Sequence, residues 1–142
     1  MKRKILFILL FAVCIYANAQ IVVKIIDGDT YKVLLNGKIQ TIRIMNVDAP
    51  ELTQNFGVAA KDSIIKLLLD ATISIQTYKT DLYGRLLVSA TFNGMSLDSL
   101  LIAKGWVWFY SVYSQRMDLK NIENAAKHNC LGLWNCTQPV PP

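Results

Sequence analysis

The chain has 142 residues, with 15 Lys and Arg against 10 Asp and Glu, one His and three Cys. That length suits one domain with a proper core and excludes a second. With His128 as the sole histidine, the cysteines cannot complete a zinc centre of the usual kind.

Lys2, Arg3 and Lys4 precede an uncharged apolar run from Ile5 to Tyr16 and the small-residue site Ala17-Asn18-Ala19. This is the pattern of a secretory signal peptide, so the chain divides into a leader over 1–19 and a folded unit over 20–142, with Gln20 as the first mature residue. The apolar run is shorter than the roughly twenty residues a membrane span needs, so no membrane attachment is expected after cleavage. Cys14 belongs to the leader, since Val13 before it does not suit lipid attachment. Twelve of the fifteen basic residues and all ten acidic ones follow the leader, leaving a net charge of +2. Basicity alone therefore does not argue for nucleic acid. Export places the product in the periplasm or outside the cell, where Cys130 and Cys136 could form a short-loop disulfide that fastens the tail. His128 reads as a surface residue, and Trp106, Trp108 and Trp134 as core or rim packing.

Along the mature chain, β-branched runs over Ile21–Ile26, Tyr31–Leu35 and Ile39–Met45 are punctuated by Asp27-Gly28 and Asn36-Gly37, which predicts three antiparallel strands. After the loop through Asp48-Ala49-Pro50-Glu51, the apolar spacing over Val58–Leu69 predicts a helix. Thr72–Thr77 and Leu86–Phe92 add two strands, followed by an Asn93-Gly94 turn. Ser96 can cap a helix over Leu97–Lys104 that Gly105 ends in a left-handed conformation. A last helix covers Met117–Asn129 and stops near Leu131-Gly132. The fold class is α+β, mainly β: five strands with a helix between the third and fourth give the order of an OB-fold barrel, here with about three helices.

Acidic residues gather where hydrophobic patterning does not require them. Asp27 and Asp29 follow the first strand, and Asp48 and Glu51 bracket Ala49-Pro50 after the third. If those strand ends meet, the carboxylates repel one another, and a cation relieves the repulsion. Oxygen ligands without thiolate or imidazole select a hard ion such as Ca²⁺ or Mg²⁺. Pro50 stiffens the loop and pushes Ala49 towards an extended conformation, leaving the Ala49 carbonyl for a ligand. Arg43 points away from the core that Ile42 and Ile44 face, and Arg85 stands at the mouth of the fifth strand. Two guanidinium groups beside an anionic metal site suit a phosphate.

Each signal alone has an ordinary reading, as a plain turn, a helix-start loop or a solvated charge. Their order and spacing are specific. Asp27-Gly28-Asp29-Thr30, then Arg43 through Glu51, then Asp81-Leu82-Tyr83-Gly84-Arg85, with Ala103-Lys104-Gly105 and Gly132-Leu133-Trp134, resemble the staphylococcal nuclease family over nearly the whole mature chain. The resemblance implies a secreted, Ca²⁺-dependent, sugar-nonspecific endonuclease that cuts DNA and RNA and leaves 3′-phosphate ends. It implies that Asp29, Asp48 and the Ala49 carbonyl hold Ca²⁺, with Asp27 behind them. Glu51 would be the general base or water-orienting group, and Arg43 and Arg85 would bind the phosphate. Tyr83 would contact phosphate or sugar, and Tyr113, with Tyr110 as competitor, would offer a face to a base.

The chain departs from the family pattern in places. Gly57-Val58-Ala59-Ala60 lacks the carboxylate many members carry at the start of the first helix, and Leu82 stands where a basic residue is common. The rival reading is a non-catalytic OB module binding single strands or a protein partner. A third reading is a secreted structural protein whose carboxylates merely bind stabilising Ca²⁺. Nothing demands more than a monomer.

Overall fold

A computed structural model describes residues 19–112 and 114–135, with residues 139 and 141. Nearly all of the expected leader, Tyr113 and the partner proposed for Cys130, Cys136, lie outside the described residues.

The barrel begins with β1 (Ala19–Ile25), β2 (Thr30–Leu35) and β3 (Lys38–Ile44), an antiparallel meander. Asn36 and Gly37 between β2 and β3 have φ of 51° and 75°. Both central residues are thus left-handed, the turn that matches strand twist and that Asn-Gly supplies most readily. β5 (Thr72–Thr80) pairs with the start of β1 and runs antiparallel to β6 (Leu86–Phe92). Asn93 and Gly94 repeat the same turn, at 49° and 77°, and lead into the short β7 (Met95–Ser96). The barrel closes where Ile42, Arg43 and Ile44 lie parallel to Leu86, Leu87 and Val88. Five strands in the order β3-β2-β1-β5-β6, closed by β3 on β6, form the OB barrel that the strand pattern predicts.

Alternation along the strands sends Val22, Tyr31, Val33, Ile42, Ile44, Ile73 and Val88 into a common core. Helix α1 (Gly57–Leu68) adds Ala60, Ile64 and Leu68, one face at intervals of four residues. Its start has no side-chain cap and no acidic residue in the first turn, and Phe56 before it is left-handed at φ 71°. Helix α2 (Leu97–Ala103) packs on α3 (Met117–His128), and Gly105 at φ 64° follows α2 as expected. α3 ends at His128, and both Cys130, at φ 51°, and Gly132, at φ 54°, are left-handed beyond it. His128 is exposed, Trp108 is buried, and Trp108 meets Trp134 edge to face.

Two features depart from the sequence reading. Ser96 makes no side-chain cap to the backbone of α2; its hydroxyl donates to Asp98 instead, and the Ser99 N–H donates to that same carboxylate oxygen. A second small sheet also forms, in which β4 (Val47–Asp48) pairs with β8 (Trp108–Phe109).

β8 is fastened from behind by Glu123 of α3, whose side chain is 3 % exposed. Its Oε1 accepts from the Phe109 N–H at 3.0 Å, and its Oε2 accepts from Lys120 and Lys127 at 2.8 and 2.9 Å. Burial opposes the charge on Glu123, but the two lysines and the Phe109 N–H outweigh it and hold the carboxyl below its usual range. Its contribution to stability is complete above the unfolded pKa and is lost as pH falls through the lower folded one. Glu123→Gln should cost about 1.5–3 kcal/mol at neutral pH. Melting curves of variant and wild type should converge as pH falls below the ordinary carboxylate range; a gap of undiminished size there would show that the carboxylate charge does not fasten β8.

Candidate active site

The turn between β1 and β2 is built by its own side chains. Asp27 Oδ1 accepts from the N–H groups of Asp29 and Thr30 at 3.0 and 2.8 Å. Behind it, the wholly buried Tyr31 donates its hydroxyl to the Gly28 carbonyl at 2.9 Å. Burial, with Asp29 and Asp27 nearby, pushes the Tyr31 hydroxyl well up, so it remains a donor. Gly28 is not left-handed; it is glycine because a Cβ there would stand 2.7 Å from that of Ala49. The first turn and the Ala49 loop therefore touch through a contact with no space for a side chain.

Asp29, 4 % exposed, is matched on both oxygens. Oδ1 accepts from the Thr30 hydroxyl at 2.8 Å, and Oδ2 accepts from the Ala49 N–H at 3.0 Å and pairs with Arg43. Arg43 also reaches Asp48 Oδ1 at 3.1 Å, so one guanidinium bridges two carboxylates. Burial opposes its charge, but Asp29 and Asp48 reverse that and raise its pKa. Asp48 is pushed up by burial and then by Asp29 and Glu51, against the pull of Arg43. Burial and the charge of Asp29 likewise raise Asp27.

Arg85 approaches from the loop before β6. Its Nε donates to Asp81 Oδ2 at 2.8 Å, and its Nη1 to the Thr30 hydroxyl at 3.3 Å. Asp81 Oδ1 accepts from the N–H groups of Tyr83 and Arg85, which holds the loop in shape. Tyr83 is 85 % exposed and lies 5.3 Å beneath the Arg85 guanidinium, while Leu82 beside it is fully exposed. Glu51 is exposed, but its backbone is fixed: its N–H donates to Gln54 Oε1 at 2.7 Å, and its carbonyl accepts from the Gln54 N–H at 2.9 Å. A Cβ on Gly57 would fall 2.0 Å from that carbonyl, so the start of α1 presses directly on Glu51.

Asp27, Asp29, Asp48 and Glu51, with Arg43 and Arg85, line one cleft of about 180 Å³ against Ala49 and Pro50. A larger cleft of about 590 Å³, around Gln20, Asn36 and Gln76, has no charged side chain on its walls and offers no comparable chemistry. Among the described residues, no three Asp, Glu, His or Cys side chains converge closely enough to hold a metal by themselves. Asp29 and Asp48 offer two carboxylates, and Ala49 a carbonyl. Such an oxygen-only set fits a hard cation that completes its shell with water and a ligand's oxygens. Of the described residues expected from sequence to form the site, all but Tyr83 and Tyr110 line this cleft. Thr30, Tyr31, Gly57 and Asp81 are positioning groups to which the sequence reading gave no role in the site.

Residues 41–136 match the family described as Staphylococcal nuclease homologue. An uncharacterized endonuclease of Escherichia coli O157:H7 is 34% identical over 122 residues, covering 85% of this chain and 80% of its own. A micrococcal nuclease of Shigella flexneri is 30% identical over 125 residues, 80% of this chain and 72% of its own. The staphylococcal-like nuclease CAN1 of Arabidopsis thaliana is 31% identical over 101 residues, 71% of this chain and 31% of that longer protein.

The Gly28 contact gives a direct test. Gly28→Ala should lower stability by about 1–3 kcal/mol in urea unfolding, the usual cost of overpacking, because neither backbone can yield alone. An unchanged midpoint would mean that turn and loop part freely.

Proposed function

This chain belongs to the staphylococcal nuclease family, as the match over residues 41–136 shows, and from that premise we propose that it is an exported, Ca²⁺-dependent endonuclease cutting DNA and RNA to 3′-phosphate ends. The observation that carries the reading is the sharing of one cleft by two arginines, Glu51 and the carboxylates of Asp29 and Asp48. The family is generally metal-dependent. In this chain Asp29, Asp48 and the Ala49 carbonyl would hold the ion, which when bound offsets the charge of the phosphate and polarises it.

The remaining chemistry falls to the side chains. Arg43 and Arg85 take the non-bridging phosphate oxygens and hold the charge that grows on them as the phosphorus becomes five-coordinate. Glu51 accepts a proton from a water whose oxygen bonds to phosphorus while the bond to the 5′-oxygen breaks. The departing 5′-oxygen takes a proton from solvent, to which Glu51 later returns the one it accepted, and the phosphate stays on the 3′ side. Arg43 already contacts Asp29 and Asp48, so it presents phosphate-binding donors at a fixed distance from the carboxylates. Tyr83, exposed beside Arg85, is set to touch phosphate or sugar. Tyr113 is the proposed base platform. The leader supports a periplasmic or secreted product, working as a monomer free of the membrane.

The test is digestion of plasmid and single-stranded DNA and of RNA by purified mature protein, with Ca²⁺, Mg²⁺ or chelator. Cleavage should require Ca²⁺, and Glu51→Gln should slow it by about 10²–10⁴ with binding retained, while Asp29→Asn should raise the Ca²⁺ needed. Binding without cleavage under every condition would replace this reading with a non-catalytic OB module.

A further inference from the structure

Between Arg43 on β3 and Asp48 on β4 the chain turns a corner at Met45 and Asn46. Asn46 is left-handed, with φ of 66°. Arg43 reaches across the corner to the Val47 carbonyl at 3.5 Å and to Asp48, and among the described residues Met45 and Asn46 themselves make three further hydrogen bonds. The Met45 N–H donates to the Val88 carbonyl, and the Tyr110 N–H to the Asn46 carbonyl, both at 2.9 Å. These are backbone bonds that any sequence can make. The third is specific to two side chains: Asn46 Nδ2 donates to Asp98 Oδ2 at 2.9 Å, across 52 residues.

Asp98 lies in the first turn of α2, is 5 % exposed, and does not line the cleft. Its orientation is set before Asn46 reaches it. The Ser99 N–H donates to Oδ1 at 2.6 Å, and the Ser96 hydroxyl donates to the same oxygen. Oδ2 is thereby turned to the corner. A buried carboxylate arranged in this way accepts a donor well and repels another acceptor.

We propose that Asp98 is a positioning residue for the cleft: through Asn46 it fixes the corner between Arg43 and Asp48, and so sets where Asp48 and Ala49 stand opposite Asp29. The proposal rests on the metal-dependent nuclease reading above. The geometry makes the corner a lever, because Arg43 and Asp48 both line the cleft and bond to each other at 3.1 Å on either side of it. A rotation at Asn46 moves Asp48 against a nearly static Arg43, whose strand is held in the barrel wall by β2 and β6. An ångström of misplacement at such a group is enough to lower rates by about a hundredfold.

Three variants separate positioning from mere stability. Asn46→Asp sets two acceptors against each other and breaks the clamp. Adding Asp98→Asn to it restores the bond in reverse, with the amide now on α2 donating to the carboxylate now at the corner. Asn46→Gly keeps the left-handed backbone and removes only the side chain. For each, Ca²⁺ affinity is measured by titration calorimetry, kcat and KM on single-stranded DNA, and melting temperature. Asn46→Asp should weaken Ca²⁺ binding and lower kcat by about 10–100-fold, the usual effect of removing a group that orients a metal ligand. Asn46→Gly should lose about tenfold on the same ground, and the double variant should recover most of the loss. Wild-type Ca²⁺ affinity and kcat in Asn46→Asp would overturn the proposal while leaving the nuclease reading intact. So would losses that follow melting temperature alone and are not recovered in the double variant. A wild-type protein that neither binds Ca²⁺ nor cleaves would remove the nuclease reading and this proposal with it.

Discussion

A carboxyl group as deep as that of Asp29 persists only where protein groups replace the hydrogen bonds of water. The partners come from different parts of the chain: Thr30 from the start of β2, Arg43 from β3 and the Ala49 N–H from the loop beyond β4. The Thr30 hydroxyl in turn receives Arg85, which reaches it from the far side of the barrel closure. Satisfying one buried side chain thus gathers the two loops, both arginines and the barrel seam into one place. The Gly28 contact with Ala49 is the steric side of the same constraint, since the loop must approach closely for its N–H to reach Asp29.

The arm carrying Asp48 is too short to hold itself. β4 has two residues, and its partner β8 has two. Its position is imposed from outside the barrel by two buried carboxylates, Glu123 on the Phe109 N–H and Asp98 on Asn46. Neither lines the cleft; Asp98 holds the Asn46 side chain at the corner before the arm, and Glu123 holds the Phe109 N–H of the strand paired with it. This division leaves the bracing of the arm to residues outside the charged cleft, and it accounts for the packing of α2 on α3, remote from the chemistry, as one support.

Legibility from sequence followed the range of the signal. The Asn-Gly turns and the alternation of β-branched residues are local and periodic, so the barrel strands and their order could be read. The cleft residues could be read because their spacing along the chain is itself a pattern. β4 and β8 escaped notice because two-residue strands have no period. Glu123, between Lys120 and Lys127, has the spacing of an ordinary surface helix pair, and nothing in that spacing says that its other oxygen meets Phe109. Asp98 and Ser96 read as the start of a helix, and the structure turns them toward each other and toward Asn46 instead. Asp27-Gly28 read as a hairpin turn, and the glycine proved to serve a close approach. These residues act through contacts formed only on folding, which no short window contains.

The parallel seam between β3 and β6, and the bracing of β8 by α3, carry a consequence for synthesis. Residues 27–51 supply most of the cleft, but Arg85 reaches it only when β6 closes the barrel, and the arm is braced only once Glu123 exists. Contacts of such long sequence separation form late. A nascent or prematurely terminated chain therefore contains the reactive side chains without their arrangement, and the power to cut polynucleotides arises only with the finished polypeptide.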